Sequence, residues 1–579
     1  MAPTVCPVWN SRITGFPWGW VARSHRKWGK SRYHSRLTQE VRLRGKKPAA
    51  GFAALVGMLG TLSATRALAD DRVKTESGVL EGVAAASPGV RVFRGIPFAA
   101  PPVGALRWKA PQPVKPWEGI RKAAEFGPRC MQAPIYSDMI FRDRADKPMS
   151  EDCLYLNVWT HAKSAKDGLA VMVWFYGGGF QAGSSSEPRY DGENFATKGI
   201  IVVSVNYRLG VFGFLSHPEL TKESREHASG NYGLMDQIAG LRWVKKNIAA
   251  FGGDPDRVTI AGESAGSLSV SALMASPLSS GLIRGAIGES GAFFGHPPAG
   301  SAMQPLSETE KTGTKFAESI GTKDLAALRA KTAEELLAAA QKDPSVRFWP
   351  SVDGYVLPKD VATIFAQGKQ SHVPLLAGWN AQEASWAVVY AKEKPTAQTF
   401  PEQMHARFNN RAAEVLKLYP AISDEEARKS GIDLASDLFI VYITWEWLEM
   451  QNKTGYAPVY GYVFDRTPPV SPDMKVNGVS PKELGARHAC EIEYVFGALK
   501  SQPNPWEPVD FRISDAMASY WANFTKTGDP TGPGLAKWPV YGGPEPSMMH
   551  FGEEIHTAPQ EHRERYEFWS GRADKAGSH

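Results

Sequence analysis

Val258-Thr259-Ile260-Ala261-Gly262-Glu263-Ser264-Ala265-Gly266 runs an apolar strand into Gly-x-Ser-x-Gly and on into a small-residue helix, Ala265 to about Ser276. In that layout a serine sits on a tight strand-to-helix turn with its hydroxyl exposed, the form of a nucleophile elbow. The glycines leave room where side chains would collide. The helix start aims backbone N–H groups at the same spot, which suits a developing negative charge. With 55 glycines in 579 residues the pentapeptide alone is weak, and a glycine-rich turn before an ordinary helix is the competing reading. The flanking strand and helix favour the elbow. The chemistry would be acyl transfer, which needs a base, an acid to hold the base, and donors for an oxyanion.

Gly177-Gly178-Gly179-Phe180 follows the strand Leu169–Tyr176, which has no polar side chain between Val171 and Phe175. Three glycines at the end of a buried strand leave N–H groups free to turn inward, as an oxyanion hole requires. Downstream of Ser264, the strand Val373–Gly378 ends in Trp379-Asn380-Ala381-Gln382-Glu383. Gly485-Ala486-Arg487-His488 follows the strand Val459–Phe464, expected to be the last of the core. Glu383 and His488 thus fall in the chain order serine, acid, histidine. Taken singly, Glu383 is a helix-start carboxylate and His488 is one of 13 histidines. Glu263 reads as a charge beside the site, and Asp236 and Ser290 as structural hydrogen-bonding residues.

These residues must be positioned by the elements between them. Short strands open the body at Val73–Thr75, Val79–Val83 and Val90–Phe93. Leu154–Trp159 and Ile200–Asn206 are further strands. Leu234 to about Ala250 is an amphipathic helix with Leu241, Val244 and Ile248 on one face. Alternating strands and helices predict an α/β fold with a large, mostly parallel sheet covered on both faces. Residues 302–345 and about 400–452 read as helical insertions, and Asp515–Thr527 as a C-terminal helix stopped by Gly528-Asp529-Pro530.

The net charge of +6 belongs to the amino-terminal end: residues 1–69 carry 12 Lys and Arg against one acid, Glu40. The remaining body is acidic and shows no basic cluster interleaved with aromatics, so no nucleic-acid partner is expected. Residues 41–69 read as a signal peptide: a basic run, an apolar stretch from Ala49 to Ala64, then Ala67-Leu68-Ala69 before Asp70. The stretch is short for a membrane span, so export to the periplasm or medium is expected, with no stable membrane insertion. Residues 1–40 read as a disordered extension or a misassigned start, and 70–579 as a single domain. Of the four cysteines, Cys6 lies in the leader, and Cys130 and Cys153 could staple a loop in an oxidising compartment. No His/Cys spacing suggests zinc.

From about Val79 to Tyr541 the sequence resembles the type-B carboxylesterases, the cholinesterase-like branch of the α/β-hydrolases. The resemblance rests on Phe93-Arg94-Gly95-Ile96-Pro97-Phe98-Ala99, Glu151-Asp152-Cys153-Leu154-Tyr155-Leu156-Asn157, Gly177-Gly178-Gly179-Phe180 and Asn206-Tyr207-Arg208-Leu209-Gly210. Gly230-Asn231-Tyr232-Gly233-Leu234-Met235-Asp236-Gln237, Phe251-Gly252-Gly253-Asp254-Pro255, Gly262-Glu263-Ser264-Ala265-Gly266 and Tyr520-Trp521-Ala522-Asn523-Phe524 continue it in order. It implies Ser264 as nucleophile, Glu383 as triad acid and His488 as base. It further implies Gly178, Gly179 and Ala265 as the oxyanion hole, Cys130–Cys153 as a disulfide, and hydrolysis of small carboxylic esters with no metal or cofactor.

Three departures bear on substrate. The segment between Cys130 and Cys153 has no Trp, where cholinesterases hold a quaternary ammonium by cation–π contact, so choline esters are not expected. Ala489 replaces the usual Gly after the histidine, with Cys490 next. Arg142, Asp143, Arg144, Asp146 and Lys147 leave no apolar lid of the lipase kind. Trp349, Trp379 and Trp386 are expected near the pocket. A lipase or serine peptidase on the same scaffold, or a non-catalytic cholinesterase-like binding protein, are the alternatives. The branch includes secreted bacterial esterases that strip tricarballylate from fumonisins, which makes a bulky anionic ester an expectation. Oligomeric state is not legible.

Overall fold

The computed structural model describes residues 71–133, 148–295, 302–322, 324–343, 346–386, 394–471 and 484–571. The segment 1–40, the leader expected at 41–69 and the charged cluster at 142–147 lie outside the described residues. Among the described residues eleven strands form one sheet. In chain order they are β1 (Val83–Ala84), β2 (Arg91–Pro97), β3 (Tyr155–Thr160), β4 (Leu169–Phe175), β5 (Ile201–Val205) and β6 (Gly253–Glu263). They continue with β7 (Gly285–Glu289), β8 (Leu375–Asn380), β9 (Val459–Phe464), β10 (Ser547–Phe551) and β11 (Ile555–Pro559).

Across the sheet the order is β11-β10-β9-β8-β7-β6-β4-β5-β3-β2-β1. From β5 to β10 neighbours are parallel. Antiparallel strands close both edges. The parallel middle is dictated by composition: β5 and β7 are buried along their whole length, and β4 at all but its first residue. A strand buried on both faces has no use for alternating polar residues.

Seven helices matter below: α1 (Tyr232–Asn247), α2 (Ala265–Ala275), α3 (Leu306–Ser319), α4 (Asp424–Ser436), α5 (Tyr442–Thr454), α6 (Pro508–Thr527) and α7 (Arg563–Trp569). Two neighbours on β7 show that they cover both faces. A Cβ on Gly288 would meet Trp447 of α5 and Ser267 of α2. The next side chain, Glu289, accepts a 2.8 Å hydrogen bond from Trp521 Nε1 of α6. Successive strand residues point to opposite faces, so α2 and α5 lie on one side and α6 on the other.

The sequence expectations need two corrections. Val459–Phe464 is not the last core strand, because β10 and β11 extend the sheet beyond it. β10 is a short run with two methionines just after Gly542-Gly543-Pro544, and β11 is an exposed edge ending in Pro559, so neither carries a strong strand signal. The helix expected at Asp515 begins at Pro508, a first-turn proline preceded by Glu507, whose side chain and that of Asp510 cap the start. It is not the C-terminal helix, since α7 follows. The helical insertion expected at 302–345 contains α3 and two shorter helices, Leu325–Ala330 and Ala333–Ala340.

Candidate active site

Ser264, Glu383 and the glycine run sit just past the carboxyl ends of parallel strands, where ligands collect on open α/β sheets. Ser264 follows β6 with φ 55° and ψ −119°, a strained conformation for a residue with a side chain. The elbow holds this strain because its glycines admit no substitute: a Cβ on Gly266 would lie 1.9 Å from the Phe175 carbonyl oxygen, and one on Gly262 would lie 2.5 Å from the Gly266 carbonyl carbon. The Ser264 N–H is already bonded to Glu289 O at 2.8 Å.

Glu383 lies three residues past β8. Its Oε1 accepts from the Asn380 N–H at 2.6 Å and from Ser290 Oγ at 2.5 Å, and its Oε2 meets His488 Nδ1 at 2.6 Å. Both residues are buried. The loop carrying His488 is fixed by a parallel bridge between Gln382 and Arg487, by the Gln382 N–H bond to Ala486 O (3.0 Å), and by Asn380 Nδ2 bonds to Arg487 O (2.8 Å) and Glu491 Oε2 (2.5 Å). With Nδ1 held by Glu383, the other ring nitrogen faces the elbow: Nε2 lies 3.2 Å from Oε1 of Glu263, the residue before Ser264.

The glycine run has positive φ at three successive positions. Gly178, Gly179 and Phe180 have φ of 111°, 60° and 57°. A Cβ on Gly178 would stand 2.2 Å from Ala182 O. The N–H groups of Gly178, Gly179 and Ala265 donate no backbone hydrogen bond to a described residue. Those donors are what a developing oxyanion could accept from.

Behind this surface lies a set of buried carboxyl groups. Burial holds Glu263 well above its ordinary range, against the pull of Arg189, and pushes Glu289 up to about 8. Glu491 is likewise raised by burial and then by Glu263, Glu289 and Glu383. Neither Glu263 oxygen has an aligned hydrogen-bond partner. Among the described residues no group of three or more His, Cys, Asp or Glu side chains could hold a metal ion.

A family model described as "Carboxylesterase family" matches residues 69–569. The chain belongs to the carboxylesterase family. It is a carboxylic-ester hydrolase with the α/β-hydrolase fold. A relative named fumonisin B1 esterase, from Sphingopyxis macrogoltabida, is 36% identical over 501 residues, covering 83% of this chain and 86% of the relative. The liver carboxylesterase of Sus scrofa is 34% identical over 544 residues, covering 87% and 92%. Among solved structures, a PNB esterase superposes with TM-score 0.72 at 32% identity, covering 86% of this esterase and 99% of that chain. A carboxylesterase of Geobacillus stearothermophilus gives the same TM-score, identity and coverage.

Other expected residues of the esterase are placed as follows. Cys130 and Cys153 form a disulfide, and Cys490 is a buried free thiol that burial pushes well above its ordinary range. Asp236 makes a buried two-point pair with Arg208, both contacts at 2.8 Å, a structural role. Ser290 does bond structurally, but its partner is Glu383. Trp349 packs edge-on against Phe180 (4.9 Å) and Phe293 (6.2 Å), beside the glycine run. Trp386 is half-buried three residues past Glu383, whereas Trp379 is buried against Tyr566 of α7. The sequence reading assigned no role to Glu289, Glu491 or Ser436. Ser436 Oγ is bonded to both the N–H (3.1 Å) and the carbonyl (3.4 Å) of Ala384. Their one signal was sequence proximity to Ser290, His488 and the insertion's helix.

Proposed function

We propose that this esterase works through an acyl-enzyme, with Ser264 as nucleophile, His488 as base, Glu383 as the acid that orients it, and the N–H groups of Gly178, Gly179 and Ala265 as the oxyanion hole. The observation that carries the reading is the 2.6 Å contact between His488 Nδ1 and Glu383 Oε2, with Nε2 turned toward the elbow. His488 Nε2 takes the Ser264 proton as Oγ bonds to the ester carbonyl carbon. The carbonyl π electrons move to oxygen, and the oxyanion is held by the three N–H groups. The tetrahedral centre collapses, the C–O bond to the alcohol breaks, and Nε2 returns the proton to the leaving oxygen. Water then gives a proton to the same nitrogen as its oxygen bonds to the acyl carbon, the C–O bond to Ser264 Oγ breaks, Nε2 returns the proton to Oγ, and the acid leaves. Ser264→Ala should lower kcat by about 10⁴- to 10⁶-fold. An organophosphate should leave one covalent adduct, mapped to Ser264. Near-normal turnover in the variant, or an adduct elsewhere, overturns the assignment.

The mature protein is read as one domain from residue 70, exported by the leader at 41–69, with residues 1–40 an extension or misassigned start. The disulfide supports an oxidising destination. No helix among the described residues is long and apolar enough to cross a membrane. For substrate, a bulky anionic ester of the fumonisin kind fits the exposed Arg347, which stacks over Trp349 at 4.2 Å beside the glycine run. Trp349 and Trp386 would line that pocket. Chromatography of fumonisin B1 before and after incubation tests this, and no loss of parent compound removes it.

A further inference from the structure

α4 and α5 are one continuous helix interrupted by a π-turn, Asp437–Val441. Such wide turns are rare and gather at functional sites. Here the helix touches the triad's supports at three points. Ser436 clamps Ala384, the residue after Glu383, through the two hydrogen bonds already described. Phe439, half-buried, packs against the His488 ring at 5.0 Å and 74°. Ile440 lies against Gly291, where a Cβ would stand 3.3 Å from its Cδ1, and Gly291 follows the serine bonded to Glu383. Thr444 Oγ1 donates to the Ile440 carbonyl at 2.8 Å, satisfying an acceptor within the widened turn.

The other side of the turn is held from far along the chain. Asp437 Oδ2 accepts from Tyr419 Oη at 2.6 Å, and Tyr419 Oη accepts from Trp569 Nε1 of α7 at 2.8 Å. All three side chains are buried. Arg565, one turn earlier on α7, pairs with Asp433 of α4 at 3.0 Å. α7 thus pins the start of the π-turn, and the turn bears on the histidine and on the segment after the acid.

We propose that the π-turn Asp437–Val441 is a positioning element for the His488–Glu383 pair, with Phe439 as its contact and the Trp569–Tyr419–Asp437 chain as its anchor. The inference rests on the serine-esterase reading above. None of these groups touches substrate in this role. They act by limiting how far the imidazole and its carboxylate can drift, and small misplacements of such groups are expensive for rate.

The test uses the full-length enzyme, its active sites counted by organophosphate titration. Tyr419→Phe removes only the hydroxyl that joins α7 to Asp437. It should lower kcat per titrated site by about 3- to 30-fold, the range of remote coupling, with the KM for nitrophenyl acetate changed less than about twofold. The low-field proton resonance of the bond between His488 Nδ1 and Glu383 should shift or broaden. Phe439→Ala should show the same signature, and Phe439→Tyr, which keeps a ring on His488, should restore it. If Tyr419→Phe does not fold, Trp569→Phe is read in the same way. Unchanged kcat and resonance in the folded variants, or a rate that falls only with the number of titratable sites, overturns the proposal. An adduct in the wild type away from Ser264 overturns the reading beneath it, and is seen before any variant is made.

Discussion

Glu263 is the residue whose chemistry is hardest to read from its neighbours in sequence. It precedes the proposed nucleophile, yet its carboxyl group turns back beneath the elbow, where a Cβ on Gly177 would stand 2.5 Å from its Oε2. That position is dry, and burial favours its neutral form. Arg189 pulls it the other way, toward the charged form, and when His488 accepts a proton a cation forms 3.2 Å from Oε1. A negative charge there stabilises the imidazolium of the transition state more than the neutral ring of the resting enzyme, and only such differential stabilisation speeds the reaction. Glu263→Gln keeps size and polarity but removes the charge. It should lower kcat/KM by about 10- to 100-fold, less than the ~4 kcal/mol of an unrelaxed charge pair at 4 Å and effective dielectric of about 20. Steady-state kinetics on nitrophenyl acetate measures it, and an unaltered kcat/KM would mean that the carboxyl is only filler.

Among the elements, the stapled segment makes the plainest prediction. The disulfide closes a loop of sequence separation 23 beside the short parallel pair Arg129–Cys130 and Met149–Ser150. A loop of that length restricts the unfolded chain by about 3 kcal/mol. The double change Cys130→Ala with Cys153→Ala should therefore lower the urea midpoint and Tm of the oxidised enzyme while leaving the reduced enzyme nearly unaffected. Equal loss in both redox states would assign the effect to packing. This element was legible because two cysteines stood close together in a body otherwise nearly free of them. The elbow was legible for a different reason: it needs particular residue types at fixed spacing, and Gly262, Ser264 and Gly266 supply them within five positions. β4 declared itself by an unbroken apolar run. Features that depend on distant partners did not. β10 is a strand because β9 lies beside it, the π-turn exists where Tyr419 and His488 pull on opposite sides of one helix, and nothing local to Glu289 announces Trp521.

At the scale of the whole molecule, the acids taken out of water set how stability responds to pH. Burial pushes Asp437 up to about 7 and Glu289 up to about 8, and it also raises Glu187, Asp236, Asp353, Glu491 and Glu493. In the unfolded chain these groups lose their protons near pH 4. Between that pH and their folded values the folded state binds more protons than the unfolded one, so stability falls as pH rises, and the fall due to Asp437 and Glu289 ends above about 8. His217 and His562 act in the other direction: burial lowers both, so their contribution is lost as pH drops below 6.5. Stability should therefore decline from pH 6 to pH 8.5, by about 4 kcal/mol for the Asp437 and Glu289 pair, at ~1.4 kcal/mol for each unit of displacement. Asp437→Asn and Glu289→Gln leave an amide oxygen to accept from Tyr419 and Trp521 while removing the ionisation. Together they should flatten the profile and raise the urea midpoint at pH 8.5 more than at pH 6. A wild-type midpoint that climbs across this range, or a double variant with the same slope, would show that these acids ionise freely, and that water reaches a region the fold otherwise keeps dry.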